Sequence, residues 1–200
     1  RAFHFKHHLA LGDDHQDPDF LPIPDRPPTH WLHSYARNLV AWRAWVGSVA
    51  GHLLTGQVRT VSKLYILGWW MASLGVLLAL AGPDFTAVFV ALWLTARATV
   101  FHAITTFREM CDHFGLQPGG VFTFTRDMAC HGFWRLFIHP RNNGYHLTHH
   151  LVPAVPYYRL PEAHRLFRQV PAYQVRGQVC DGYFSGAAPV TRAWQAPAKS

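Results

Sequence analysis

Six of the fifteen histidines fall into two copies of one pattern. His4, His7 and His8 stand in "HFKHH", and His146, His149 and His150 stand in "HLTHH", so each copy reads H-x-x-H-H. On an α-helix each residue advances about 100°, and positions i, i+3 and i+4 share one face. Each copy would therefore present three imidazoles along a stripe. Neutral imidazole is the common nitrogen ligand for iron, zinc and copper. Two facing helices with such stripes can hold two metal ions, as helix bundles hold di-iron sites between inward-facing ligands. One copy alone fits a surface cluster as well as a metal site; two copies brought together favour the metal site. His113, in "REMCDHFG", is a seventh candidate ligand. These seven would be catalytic through the metal. His15, His30, His33, His52, His131, His139 and His164 lack the paired spacing and are read as non-ligands.

The three cysteines, Cys111, Cys130 and Cys180, form no C-x-x-C pair, which argues against a disulfide framework and a thiolate zinc site. Zinc needs three or four ligands and seldom recruits seven imidazoles, so iron in a multinuclear, oxygen-handling site is the better reading. A ligating histidine usually donates its other N–H to a carboxylate or carbonyl, which fixes its tautomer. Asp17, Asp19, Asp112 and Asn143 lie beside the boxes and are candidates for that outer role. Turn or cap formation is their alternative, since Asx side chains favour both. Arg108 and Arg126 could position these acids or bind a headgroup.

What must position the boxes is largely apolar. Residues 64–82, "LYILGWWMASLGVLLALAG", carry no charge and reach the roughly 20 residues needed to cross a bilayer core. "PDF" reads as a very short turn, and residues 85–107 form a second run of spanning length, interrupted by Arg97 and His102, which are costly in lipid. A buried soluble hairpin is the competing reading. Arg59 and Lys63 precede the pair, Arg108 follows it, and the connecting turn carries only Asp84. The positive-inside rule then puts both outer ends, and with them both histidine boxes, on the cytoplasmic side. Residues 35–56 mix apolar and basic positions, with Trp42 and Trp45 at helical spacing, and read as one interfacial helix. The Asp- and Pro-rich stretch 9–30 reads as a loop. Pro153, Pro156 and Pro161 end the helix after the last box, and residues 169–200 read as a polar cytosolic tail.

Composition agrees with a membrane chain. Half the residues are hydrophobic and 14% are charged, against roughly 25% in soluble domains. The net charge of +7 comes from scattered Lys and Arg, with no nucleic-acid-binding motif, so no nucleic-acid partner is expected. The chain opens on Arg1, already inside a motif, and shows no signal peptide.

The motifs "RAFHFKHH" followed by "DPDF", then "REMCDHFG", then "NNGYHLTHHLVPAVPYYRLP" resemble those of the membrane fatty acid desaturase superfamily over residues 1–168. The resemblance implies an all-α, integral-membrane helical bundle with a cytosolic histidine-rich cap. It implies a di-iron centre that uses O2 and two electrons from a separate donor of ferredoxin or cytochrome b5 type. Its substrate would be a lipid or other acyl chain. Carried over, His4, His7 and His8 match the second box, His146, His149 and His150 the third, and His113 a further ligand; Asp112 precedes it where the family usually has Glu. The family's first box lies upstream on an earlier hairpin. The fold would thus be incomplete at the N-terminus, and residues 1–200 alone would be inactive although the whole protein is an enzyme. An acyl-lipid or acyl-CoA desaturase is the leading reading. A hydroxylase or ketolase of the same superfamily, acting on a carotenoid or other small molecule, is the second. A non-enzymatic metal-binding transporter is the third, and would need Arg97 and His102 to face a pathway.

Overall fold

A computed structural model describes residues 2–17, 20, 21, 28–54, 56, 58–130 and 132–195. Asp19 and His131, and much of the Pro-rich loop, lie outside these residues. The chain is mostly helical. Helix α1 (Ala2–Leu9) carries the first histidine box. The expected single helix over 35–56 is instead two, α2 (Trp31–Leu39) and α3 (Trp42–Leu54), parted at Val40 and Ala41. At the break the His102 Nε2–H donates to the Leu39 carbonyl at 2.8 Å.

From Thr60 to His113 the chain is helical, and this is the stretch among the described residues that is long and apolar enough to cross a membrane; none of its most apolar window is buried. It is not one straight rod. Within α4 (Thr60–Ala96), Gly82 adopts φ 81°, ψ 172° and reverses the chain. Trp70 and Trp93 consequently meet with ring centroids 4.5 Å apart, whereas in an unbroken helix their spacing would hold them about 34 Å apart. No atom would lie within 4 Å of a Cβ at Gly82, so glycine is required there by φ alone. The turn expected over "PDF" is thus tighter and one step earlier, and Pro83 and Asp84 open the second arm, where proline is tolerated.

The second arm runs through a π-helical turn, Arg97–Phe101, into α5 (His102–His113). Here α3 docks. The Trp45 Nε1–H donates to the Ala98 carbonyl at 3.0 Å, and the Arg97 Nε–H donates to the Val49 carbonyl at 2.8 Å. Arg97 also sits over the Trp93 and Phe101 rings. His102 spans to Ser48 Oγ at 2.9 Å as well as to Leu39. The two polar residues in the apolar run therefore clamp α3 to the hairpin.

The compact core lies beyond the hairpin, where the short helices α6 (Val121–Phe124) and α7 (Phe133–Ile138) follow α5. Phe107, Met110 and Phe114 of α5 and the turn after it pack with Met128, Cys130, Ile138, Tyr183, Val190 and Trp194. Tyr183, Val190 and Trp194 of this core come from the segment after Arg168 that the sequence reads as a polar tail. Strand β1 (Asp127–Met128) pairs in parallel with β2 (Val179–Cys180), Asp127 opposite Val179, and an isolated parallel bridge joins Gly182 to Pro189, so the fold is not purely α-helical. Trp194 is buried, and its carbonyl accepts the Ser34 hydroxyl at 2.7 Å. The polar composition of residues 169–200 hid a few large apolar anchors.

Candidate metal centre

Three elements bring the seven histidines together. Helix α1 supplies His4, His7 and His8, α8 (His146–Leu151) supplies His146, His149 and His150, and the last residue of α5 supplies His113. They form two groups: His7, His113, His146 and His150, and His4, His8 and His149. In the first, Nε2 atoms follow one another at 2.9 Å (His113–His146), 3.0 Å (His146–His150) and 3.3 Å (His150–His7). In the second, Nε2 atoms form a triangle with sides 2.9, 3.1 and 3.1 Å. The groups share a wall, where the His8 and His150 rings stack with centroids 4.1 Å apart.

The triangle tests whether these residues suit a metal. Each Nε2 offers either one N–H or one lone pair in the ring plane. Around three mutual neighbours at least one pair must then set donor against donor or acceptor against acceptor, so hydrogen bonding cannot account for the closeness. A shared cation can. Two nitrogens about 2.0–2.1 Å from one ion stand about 2.9 Å apart at a right angle and about 3.3 Å apart at the tetrahedral angle, the range seen here.

The protonation states suit the same use. Burial, reinforced by neighbouring histidines, pushes His8 down to about 4, and burial lowers His4, His146, His149 and His150 in the same direction. The imidazoles stay neutral with lone pairs available, the form that metals bind. Tautomers are fixed from behind. The His7 Nδ1–H donates to Asp17 Oδ1 at 2.6 Å, and the other oxygen of Asp17 accepts the Gly12 N–H at 2.9 Å. The His113 Nδ1–H donates to the Phe124 carbonyl at 2.7 Å. Both rings thereby aim Nε2 inward. Gly115, two residues on, takes φ +79°, and a Cβ there would fall 2.4 Å from the Ala193 carbonyl oxygen, so the D-H-x-G motif needs its glycine.

The other outer candidates divide. Asp112 Oδ1 accepts from His139 Nε2 at 3.2 Å, while its Oδ2 stands 3.8 Å from His146 Nδ1, beyond hydrogen-bond reach. Asn143 lines a cleft of about 350 Å³ over the histidines, together with Arg108, Glu109 and Tyr157. Arg108 pairs with its neighbour Glu109. Arg126 is buried and donates to the Phe114 carbonyl, directly after His113, and it also feels the charge of Asp112. Of the histidines read as non-ligands, His30 caps α2, His139 meets Tyr183 and Asp112, and His164 meets Asp127.

Asp127 is the residue the sequence did not single out. Fully buried, it accepts from the backbone N–H of Thr148 at 2.9 Å, the Thr148 hydroxyl, His164 Nδ1 at 2.7 Å and the Tyr173 hydroxyl at 2.6 Å. Its only sequence signal is a lone acid in "TRDMAC", and its partners lie 21 to 46 residues away.

The helices bearing the two H-x-x-H-H boxes thus converge on nested imidazole groups that could hold metal ions. Residues 1–180 match the fatty acid desaturase family, and the chain belongs to that family of membrane-associated oxidoreductases. It is 22% identical over 186 residues to the dihydrorhizobitoxine desaturase of Bradyrhizobium elkanii, an alignment covering 84% of this chain and 53% of the relative. The chain thus spans about half the length of that relative. No solved structure matches.

Proposed function

We propose that the seven histidines hold two iron ions and that the whole protein is an O2-dependent desaturase of acyl chains, either acyl-lipid or acyl-CoA. The observation that carries the metal reading is the Nε2 triangle of His4, His8 and His149, which a shared cation explains and hydrogen bonds do not. Bound iron would supply the activation of O2 that removing hydrogen from unactivated carbon requires. The protein's own residues do the rest of the holding. His7 and His113 are kept in one tautomer by Asp17 and the Phe124 carbonyl. The cleft over the histidines, bordered by Tyr157, Val155 and Leu160, gives a chain-like substrate an apolar side and the Arg108–Glu109 pair a polar one.

Electrons come from a separate carrier of ferredoxin or cytochrome b5 type. The two arms that meet at Gly82 cross the membrane at about residues 64–82 and 85–107, and the histidine cap lies on the cytoplasmic face. The exposed Leu64, Leu78, Leu80, Val88 and Leu92 support this placement, since lipid covers such surface without cost. A second substrate reading has its own support: the relative is named for dihydrorhizobitoxine and not for a fatty acid. The same site would then desaturate a small molecule, and a hydroxylase or ketolase outcome becomes a matter of substrate placement.

Expression of the whole protein, with lipid and small-molecule profiling of the host and iron counted per chain, tests these readings. Two irons per chain and new double bonds without added oxygen are expected, both lost in His149→Ala. A chain that takes up no iron, or one that keeps its iron and activity without His149, overturns the proposal.

A further inference from the structure

Helix α8 is six residues long, and its N-cap residue, Tyr145, offers no side-chain cap. A helix this short cannot hold its own shape, because nucleation costs more than one turn returns. Three of its six residues are nevertheless candidate ligands in two different metal groups. Something outside the helix must fix it. The two N–H groups that most need acceptors, those of Leu147 and Thr148, are satisfied by the neighbouring chain: Leu147 donates to the Arg126 carbonyl at 3.2 Å and Thr148 to Asp127 Oδ1 at 2.9 Å. Asp127 therefore does from β1 what an N-cap side chain does locally. Its other oxygen is gripped by the Thr148 hydroxyl, His164 and Tyr173, all buried. His164 and Tyr173 also approach each other at 3.1 Å. The carboxylate itself is anchored by the β1–β2 pair, with the Asp127 N–H donating to the Gln178 carbonyl at 2.8 Å.

We propose that Asp127, held by His164 and Tyr173, is a positioning residue for the metal centre: it caps α8 from a distance and sets the angle at which His146, His149 and His150 meet the other box. This rests on the metal-centre reading above. None of the three touches a candidate metal ligand's ring nitrogen, so their effect reaches the metal only through the backbone of α8.

The test is titration of the purified metal-free chain with Co2+ alone, followed by visible absorption, which reports ligand geometry, and by circular dichroism. Asp127→Asn keeps size and one acceptor but sets an amide N–H against the three side-chain donors. The folded variant is expected to bind Co2+ at least about tenfold more weakly, in line with other outer-shell changes, and with a shifted absorption band. Thr148→Ser, which keeps both donors, should restore wild-type behaviour, whereas Thr148→Val should shift the band. A purely structural role would lower the thermal midpoint and leave the band in place. If Asp127→Asn does not fold, Tyr173→Phe, which removes one donor, carries the same expectation of a shifted band. Wild-type affinity and spectrum in folded Asp127→Asn, or in both Tyr173→Phe and Thr148→Val, overturn the proposal. Absence of Co2+ uptake by the wild-type chain would instead overturn the metal-centre reading on which it rests.

Discussion

Each histidine in the cradle has two jobs, to keep one nitrogen free and to keep the ring still. Asp17 does the second for His7 through a 2.6 Å bond, with both partners buried. Replacing it by Ala leaves the ring free to rotate and its Nδ1–H without an acceptor. Metal affinity should fall about 10–100-fold, measured by competition with a chelator, as for other outer carboxylates; unchanged affinity would show that α1 alone fixes the ring. The lowered histidines also make an acid prediction. His8, held at about 4 against an ordinary 6.5, stays neutral in the folded chain where the unfolded chain takes up a proton; His4 and His149 shift in the same direction. The unfolded state therefore binds more protons below 6.5, and stability present above that pH is lost as the pH falls toward 4. The thermal midpoint of the metal-free chain should drop between pH 7 and 5, and bound metal, which also keeps these imidazoles unprotonated, should leave a drop at least as large. A flat midpoint across that window would contradict the buried, neutral cradle. At this scale the sequence was most legible, because ligand spacing is local: H-x-x-H-H needs only a helix to make a stripe. Asp127 was not legible, because its role depends on β1 lying against residues 178–180 and on α8 lying against β1.

Among the elements, the hairpin was legible from its apolar runs, and its turn was misjudged by the width of one motif. Three residues were read as the connection, yet a single glycine in a left-handed conformation reverses the chain and lets Pro83 and Asp84 start the second arm. Gly82→Val should therefore cost more than the roughly 1 kcal/mol of an ordinary left-handed residue, since a β-branched side chain suffers most there. The orientation of the arms is checked by single cysteines in a chain whose three native cysteines are replaced. Asp84→Cys should react with a membrane-impermeant maleimide only from outside the cell, and Lys63→Cys only from the cytoplasm. Labelling of both from one side would refute the two-crossing arrangement. The break between α2 and α3 had no signal in the sequence, since the residue that satisfies it, His102, comes 63 positions after Leu39. His102→Leu removes the donor to the Leu39 carbonyl and the partner of Ser48, and should cost about 1–3 kcal/mol in a detergent melt.

At the scale of the whole molecule, the metal cradle and the segment after Arg168 form one structure. Tyr173 grips Asp127 under the third box, β2 holds β1 in place, Tyr183 meets His139 behind Asp112, and Trp194 closes the core between α2 and α5. Composition concealed this, because Gly, Pro and Ala dilute the anchors and no helical or strand period links them. The consequence can be stated against the intuitive boundary. A chain ending at Arg168 keeps all seven histidines, so if ligand spacing alone made the site it would still bind metal. The observed contacts require the opposite: without residues 169–194, β1 loses its partner, Asp127 loses a donor, and Phe107 of α5 and Phe114 just after it are uncovered. Co2+ uptake should be abolished in that truncated chain. Trp194→Ala separates packing from mere length, because it removes one ring that is 1% exposed and leaves the backbone intact; its cost should be about 3–5 kcal/mol in thermal or denaturant unfolding. Wild-type Co2+ affinity in the truncated chain, together with a negligible loss of stability in Trp194→Ala, would mean that the C-terminal segment merely leans on a cradle that stands without it.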